Sequence, residues 1–217
     1  MYSHSLNSCY NSIAKLNSSF AYQEGFRERN DNMQDFVAID FETANTNRNS
    51  ACQIGICQVQ NGTIIGQRSW LIKPPSKIFT FSDLHGITYS MVKNQLTFIE
   101  LWPVIKPYLE HQIVAAHNVK FDMSVLSAVL DYYQLPAMEF RVVDSLDAAR
   151  KSWPNLQNHR LSTVAEFLSI DLNHHEALSD ARACAEIILR SDWSRIKISP
   201  YQAASPRRPE RNANWVG

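Results

Sequence analysis

The sequence predicts a mixed α/β fold, in which one sheet of five strands is covered by helices. Three strand-like segments come first, and the second and third flank Asn61-Gly62, the strongest short signal for a tight hairpin. Strand and helix patterns then alternate along the chain, which is typical of a mixed sheet with parallel connections. Hydrophobic residues make up 45% of the 217 residues, enough to build the core that such a fold requires.

The strands are predicted from short runs of β-branched and aromatic residues bounded by polar or turn-forming residues. The hairpin should make the second and third strands antiparallel neighbours, and Pro74-Pro75 ends the third. The five predicted strands are 36–42, 52–60, 63–72, 112–117 and 140–143.

The helices are predicted from capping residues and from apolar residues spaced three or four apart. Thr97 and Glu100 form a possible capping box for a helix that ends near Leu109. The other predicted helices are 121–133, 145–151, 161–168 and 177–192.

One domain, residues 35–193, is predicted between two extensions. Residues 1–34 are rich in Ser and Asn and are predicted to be a flexible N-terminal extension, with Met33 as an alternative start. Residues 194–217 contain several prolines and clustered arginines and are predicted to be a flexible basic tail. Such a tail is either a solvated terminus or a weak attractor for a polyanion.

Composition argues against several classes of protein. The formal net charge is zero, so no overall basic field favours duplex nucleic acid. The four cysteines include no CxxC pair, which argues against a disulfide framework or a zinc site. No apolar run is long enough for a membrane span and no signal peptide is recognisable. The expected location is therefore the cytoplasm, and the oligomeric state stays open.

Two acidic residues, Asp40 and Glu42, close the otherwise apolar first strand. Strand side chains alternate between faces, so these two should point the same way and Phe41 the opposite way. Two carboxylates about 7 Å apart on one face repel each other unless a cation lies between them or water surrounds them. The pair alone therefore predicts either a cation site or a solvated strand end.

A third acid, Asp122, is predicted in the first turn of the helix that follows the fourth strand. An acid at this position also compensates the positive end of the helix dipole, and Asn118 is a suitable N-cap. The segment alone fits either an ordinary helix start or part of an acidic site.

His175 and Asp180 lie near the start of the last predicted helix. A separation of five residues is about 140° around a helix, so the two side chains could not share a target if both were helical. His175 should therefore lie on the loop before the helix, with Asp180 one turn inside it. A lone histidine in this position also fits an ordinary surface group.

Together, four acids at or near the ends of elements in three distant segments favour a shared site. Carboxylate oxygens suit Mg²⁺ or Mn²⁺ rather than zinc. Two such ions about 3.5–4 Å apart support in-line attack of water on a phosphodiester. A nearby histidine could accept the proton from that water.

The segments AIDFETAN, HNVKFD and HHEALSDA resemble, in order and spacing, the three motifs of the DnaQ-like 3′–5′ exonucleases. The histidine in the third segment is similar to that of the DEDDh group, which includes the proofreading subunit of bacterial replicative DNA polymerase and RNase T. The resemblance covers about residues 35–190. It implies the RNase H-like fold, a mixed five-stranded sheet flanked by helices.

The resemblance also implies roles for single residues and a cofactor of two Mg²⁺ ions, for which Mn²⁺ would substitute. Asp40 would bridge both ions, and Glu42 and Asp180 would hold the ion on the side of the nucleophile. Asp122 would order the second ion, often through water. His175 would be the general base, because the histidine of the family lies five residues before the last aspartate.

Two neighbouring residues refine this assignment. His174 lies six residues before Asp180 and matches the base position less well, so it is expected to orient other groups or face solvent. Glu176 stands four residues before Asp180, where the tyrosine-bearing sister group would carry Tyr. That group is therefore excluded.

The implied substrate is a nucleic-acid 3′ end, from which nucleoside 5′-monophosphates are released. Thr43 and Ala44 would present backbone groups to the terminal nucleotide, and Asn118 matches a polar position of the second motif. Phe121 either packs in the core or stacks on a base. His85, in the segment LHGIT, either touches substrate or caps the next turn.

Three functions remain as hypotheses: an exonuclease on single-stranded DNA or frayed ends, an exoribonuclease on RNA 3′ ends, and a silent nucleic-acid-binding module. The motifs encode the chemistry and not the choice of sugar. A complete set of acids and histidine argues against the silent module. Proofreading would need a polymerase as a separate partner, and a polymerase or another replication or repair protein is the expected protein partner.

Overall fold

The computed structural model of the protein describes residues 35–202. Six strands form one sheet in the spatial order β3-β2-β1-β4-β5-β6. The strands are β1 (Phe36–Thr43), β2 (Ala51–Gln60), β3 (Thr63–Leu71), β4 (Ile113–Ala116), β5 (Glu139–Asp144) and β6 (Ser199–Gln202). The predicted extension 1–34 and residues 203–217 of the predicted tail lie outside the described residues.

Helices cover both faces of this sheet. None of the helices within residues 35–202 is long and apolar enough to cross a membrane. The helices are α1 (Ser82–His85), α2 (Tyr89–Val92), α3 (Phe98–Leu109), α4 (Lys120–Tyr132), α5 (Ser145–Ser152), α6 (Leu161–Phe167) and α7 (Ala177–Arg190), followed by a 3₁₀ helix at Trp193–Arg195.

The sheet is mixed, as the sequence predicts. β1 pairs with β4 and β4 with β5 in parallel, whereas β1 with β2 and β2 with β3 are antiparallel. Asn61 and Gly62 connect β2 to β3 with φ angles of 50° and 72°, the left-handed conformation that a tight type I′ hairpin turn requires. Glu100 Oε2 accepts the Thr97 N–H at 2.7 Å, so the predicted capping box also forms.

A sixth strand extends the predicted five-stranded sheet. β6 lies in the segment assigned to the basic tail, and it pairs antiparallel with β5. The Tyr201 ring lies 5.5 Å from Phe140, and its hydroxyl donates to Met123 O at 3.1 Å. Pro200 is tolerated because an edge strand leaves one side of its backbone unpaired. The prediction of a flexible tail is therefore corrected for residues 199–202.

Alternation along β1 separates the packed side from the functional side. Phe41 belongs to the core formed with α3 and α4, whereas Ala38 packs on the other face against Cys184 of α7. Asp40 and Glu42 follow the alternation of Ala38. Both carboxylates therefore point toward the face that α7 covers.

A glycine in β2 lets α7 begin directly on the sheet. Gly55 pairs with Asp40 across β1 and β2, and a Cβ atom at Gly55 would lie 2.1 Å from the Ala177 carbonyl oxygen. No other residue type could accept this contact without movement of the backbone. Because Ala177 opens α7, the close approach brings Asp180, in the same first turn, next to Asp40.

Candidate active site

Three carboxylates meet at the carboxyl end of β1. Oxygen atoms of Asp40, Glu42 and Asp180 lie within 4.8 Å of one another. Glu42 and Asp180 are only 7% and 4% exposed, so water does little to screen their repulsion. Three oxygen donors from two elements at this spacing are a suitable ligand set for a hard divalent cation.

Asp122 reaches the same strand from α4. Its Oδ1 accepts the Phe41 backbone N–H at 3.0 Å, and the side chain is 1% exposed. Asp122 is not one of the three acids whose oxygen atoms lie within 4.8 Å of one another. The carboxylate is thus anchored beside the trio, and its charge still raises the pKa of Asp40.

Burial raises the pKa of all four acids, and the charges of neighbouring acids raise it further at Asp40 and Glu42. Burial, followed by the charge of Asp122, raises the pKa of Asp40 well above its usual value. Burial, followed by the charge of Asp180, raises the pKa of Glu42 to about 8. Burial raises the pKa of Asp122 to about 8, and that of Asp180 is also raised, mainly by burial. A cation among these groups would allow all four to ionise at neutral pH.

Asp180 leaves one oxygen atom for a ligand. Its Oδ2 accepts from His174 Nδ1 at 2.9 Å and from the His175 backbone N–H at 3.1 Å. Its Oδ1 is buried and has no hydrogen-bond partner, a condition shared within residues 35–202 only by Trp193 Nε1. An orphaned buried carboxylate oxygen is costly, and one on a residue whose carboxylate lies within 4.8 Å of two others fits a divalent cation.

His175 lies in the turn before α7, with Asp180 inside the helix, as the spacing requires. Its φ of 68° is left-handed, and its ring stacks on His174 with centroids 3.8 Å apart. Burial and the neighbouring His174 lower the pKa of His175. The ring is therefore neutral at neutral pH and has a nitrogen that can accept a proton. His174 bonds to Asp180 and so takes the orienting position.

Backbone groups of Thr43 and Ala44, which were predicted to contact the terminal nucleotide, already form hydrogen bonds within the protein. Ala44 N donates to Ser50 O at 2.8 Å, and Ala44 O accepts from Thr80 N at 2.8 Å. Thr43 O accepts from His85 Nε2 at 3.1 Å, while His85 Nδ1 accepts the Ile87 N–H at 3.0 Å. Ala44 is fully buried with no free backbone group, so its predicted contact with a nucleotide is corrected. His85 Nδ1 therefore caps the turn that follows α1, and a contact of His85 with substrate stays a prediction.

Asn118 and Phe121 both line the cleft above the acids. Asn118 has a left-handed φ of 68°, its N–H donates to Asp144 Oδ1 at 3.0 Å, and its exposed side chain does not cap α4, whose N-cap is Val119. Phe121 packs against the core, and the Arg48 guanidinium lies 4.3 Å from its ring centroid. Phe121 therefore packs on the core with Arg48 over one face of its ring, and stacking of Phe121 on a base stays a prediction.

The acids open into a cleft of about 700 Å³. Besides the predicted Asp40, Glu42, Asp180 and His175, it is lined by residues that sequence reasoning missed. These include His117, Arg150, Asn158, His159 and Arg160. A larger cavity of about 1110 Å³ between α3, β5 and β6 contains none of the predicted site residues, several of which line the smaller cleft instead.

Glu176 is a further residue of the site, and its role as the cap of α7 was not predicted. Its carboxylate caps α7 by accepting the Ser179 N–H at 2.8 Å and the Leu178 N–H at 3.3 Å. Its charge also contributes to the raised pKa of Asp40 and Glu42. The sequence offers one signal: an acid directly before a helix, which is a favourable place for negative charge.

The family model described as exonuclease, of the RNase T type, matches residues 37–188. The chain belongs to the DnaQ-like 3′–5′ exonuclease family. Similar proteins include DNA polymerase III PolC-type of Thermotoga maritima, 34% identical over 159 residues, and that of Caldanaerobacter subterraneus, 31% identical over 160 residues. These matches cover 71% and 72% of the chain but only 12% and 11% of the two polymerases.

Solved structures of other exonucleases share the fold of this DnaQ-like domain. Exonuclease X in complex with 5′-overhanging duplex DNA has a TM-score of 0.58 at 24% identity, covering 71% of this chain and 89% of that one. A 3′-exonuclease that recognises a histone mRNA stem-loop has a TM-score of 0.63 at 14% identity, covering 94% and 80%. The likeness confirms the RNase H-like fold that the sequence predicts.

Proposed function

We propose that this protein is a metal-dependent 3′–5′ exonuclease that releases nucleoside 5′-monophosphates from single-stranded DNA or frayed 3′ ends. One observation carries the proposal: the carboxylates of Asp40, Glu42 and Asp180 converge in a cleft, and Asp180 Oδ1 is buried without a partner. A strongly acidic cleft would otherwise repel a polyanion. It becomes suitable for a phosphodiester once divalent cations are bound.

The four acids fit two Mg²⁺ ions, with Mn²⁺ as a substitute. Asp40, Glu42 and Asp180 would hold one ion, with Asp40 also facing the second and Asp122 ordering it through water. When bound, the ions would polarise the phosphate and lower the pKa of the attacking water. The chain itself would contribute the rigid placement of these oxygens, which Phe41 N–H and His174 anchor at Asp122 and Asp180.

His175 is proposed as the general base that accepts the proton of the attacking water. Its place in the turn before α7, on the same cleft as Asp40, and its lowered pKa support this role. Asn118, with an exposed side chain in that cleft, is proposed to hydrogen-bond the terminal nucleotide. Thr43 remains a candidate for a backbone contact.

DNA is preferred as substrate because the relatives above 30% identity carry the name of a DNA polymerase. The solved structures of lower identity include one with DNA and one with an mRNA stem-loop, so an exoribonuclease is the second candidate. A polymerase is the proposed protein partner on the same ground. The non-catalytic module is least supported, since it would not require an orphaned oxygen among three carboxylates.

A side-by-side assay tests the proposal. Mg²⁺ should support stepwise shortening of 5′-labelled single-stranded DNA from its 3′ end, with faster turnover than on matched RNA or duplex. EDTA should stop the reaction, because the acids alone cannot neutralise the phosphate. A strand with a blocked 3′ end is the control. Equal degradation of the blocked and free strands would refute the exonuclease assignment.

His175→Ala should lower kcat by about 10²–10⁴-fold, the usual contribution of a general base. Mg²⁺-induced thermal stabilisation should be retained, because no carboxylate is lost. His174→Ala is the matched control, because it removes the hydrogen bond to Asp180 and leaves His175 in place. It should reduce the Mg²⁺-induced stabilisation and lower kcat less than His175→Ala does. An unchanged rate in His175→Ala would remove that residue from the mechanism.

A further inference from the structure

The cleft is lined by residues of both charges. Asp40, Glu42 and Asp180 form the acidic part, and Arg150 and Arg160 line the same cleft. Arg150 lies in the last turn of α5, and Arg160 directly precedes α6. Neither the acids nor a metal bound among them explains why two arginine side chains line this cleft.

The two arginines differ from their counterparts elsewhere on the surface. Arg182 and Arg190 both form ion pairs with Glu186, at 2.8 Å and 2.7 Å. Within residues 35–202, the guanidinium groups of Arg150 and Arg160 form neither an ion pair nor a side-chain hydrogen bond, and both residues are exposed. Their planar donor groups are therefore free to bind a phosphate with two parallel hydrogen bonds.

A hydrogen-bonded loop fixes the position of Arg160. His159 Nε2 donates to Trp153 O at 2.9 Å, and His117 Nε2 donates to His159 O at 2.9 Å. Ser145 Oγ donates a hydrogen bond to His117 Nδ1 at 2.8 Å, because the ring N–H of His117 is at Nε2 and is donated to the His159 carbonyl. His159, the residue before Arg160, is thus hydrogen-bonded to His117, which directly follows β4 and begins the second motif. An exposed arginine on such an anchored loop loses less freedom on binding than one on a free loop.

We propose that Arg150 and Arg160 form a subsite for the backbone phosphate that precedes the scissile phosphate on a nucleic-acid strand. This inference rests on the proposed function, since it assigns the scissile phosphate to the acidic side. Bound cations would neutralise that phosphate, and the arginines would neutralise the next one. The subsite binds a phosphate of the strand and is indifferent to the base.

Two substrates separate this subsite from the chemistry. Oligothymidylate of ten nucleotides has an upstream phosphate, whereas thymidine 5′-(4-nitrophenyl phosphate) has only the phosphodiester to be cut. The double variant Arg150→Gln/Arg160→Gln should raise KM for the oligonucleotide about 10–100-fold, as expected for lost charge-assisted hydrogen bonds. Its kcat/KM for the nitrophenyl ester should stay within about twofold of wild type, because no contact to that substrate is removed.

Salt dependence and binding provide independent readouts. Each lost phosphate contact should lower the slope of log affinity against log salt by about 1, measured by anisotropy of labelled oligothymidylate with Mg²⁺ at constant concentration and with every variant carrying His175→Ala to slow cleavage. Arg195→Gln, which removes an exposed charge outside the cleft, should leave KM and slope unchanged.

An unchanged KM and slope in the double variant would overturn the subsite. Equal losses on both substrates would overturn it too, since they would place the arginines at the scissile phosphate. If the wild-type protein cleaved neither substrate with Mg²⁺, the proposed function would fail. The anisotropy measurement would then test by itself whether the two arginines bind the phosphates of the strand.

Discussion

Asp40→Asn should abolish nuclease activity and, in the absence of metal, raise the melting temperature. The rate should fall about 10³-fold or more, because a bound metal contributes several kcal/mol and each 1.36 kcal/mol is a factor of ten. The carboxylate of Asp40 lies within 4.8 Å of those of Glu42 and Asp180. An amide of the same shape keeps the packing and removes the charge that binds the cation.

The gain in stability follows from the burial of Asp40 and from the repulsion among the acids. Burial, and then the charge of Asp122, raises the pKa of Asp40 in the folded chain above its value in the unfolded chain. At pH values between those two pKa values, the folded state therefore binds more protons than the unfolded state. The free energy of unfolding falls as pH rises through that range. The effect of Asp40→Asn should thus be small near pH 4 and grow toward pH 8. Each kcal/mol recovered raises the melting temperature by about 2–4 °C.

Thermal denaturation with and without Mg²⁺ checks this prediction. Wild-type protein should gain stability on addition of Mg²⁺, whereas Asp40→Asn should be more stable without metal and gain little with it. Glu139→Gln, an exposed acid on β5 outside the cleft, should change neither quantity. A metal-free Asp40→Asn variant less stable than wild type at pH 8 would contradict the proposed repulsion.

The parts of the site that follow from local periodicity were predictable. Alternation along β1 places Asp40 and Glu42 opposite Phe41, and the contacts of Phe41 and Ala38 with different cores confirm the two faces. The spacing of five residues placed His175 before α7 and Asp180 within it. Both inferences need only the geometry of one element.

Features that depend on contacts between distant segments were not predictable in this way. β6 forms because Tyr201 packs on Phe140 and bonds to α4, although its own segment contains Pro200. Arg160 lines the cleft because His117 forms a hydrogen bond to the carbonyl of His159, the residue before Arg160. His117 lies 42 residues before His159 in the chain. Ala44 loses its free backbone groups to Ser50 and Thr80. No short sequence pattern predicts such contacts between distant segments.

Gly55→Ala should destabilise the protein and lower its activity, although Gly55 touches no substrate. The added Cβ would lie 2.1 Å from Ala177 O and 2.5 Å from Leu178 N. Both are backbone atoms, so relief requires α7 to move away from β2 by about 1 Å. Misplacement on that scale costs about 10²-fold in rate, and overpacking costs about 1–3 kcal/mol of stability. Because Asp180 lies in the displaced turn, its distance from Asp40 should increase.

Gly66→Ala provides the matched control for this effect. Gly66 lies in the neighbouring β3, and its Cβ would meet the flexible end of the Gln58 side chain at 2.8 Å. That side chain can turn aside, and alanine favours a strand over glycine by about 0.5–1 kcal/mol, so stability should be retained or slightly increased. The decisive readout is the concentration of Mg²⁺ that gives half the thermal stabilisation. It should rise in Gly55→Ala and stay constant in Gly66→Ala, because only the first separates Asp180 from β1. Wild-type stability and metal response in Gly55→Ala would show that α7 does not need this contact to complete the site.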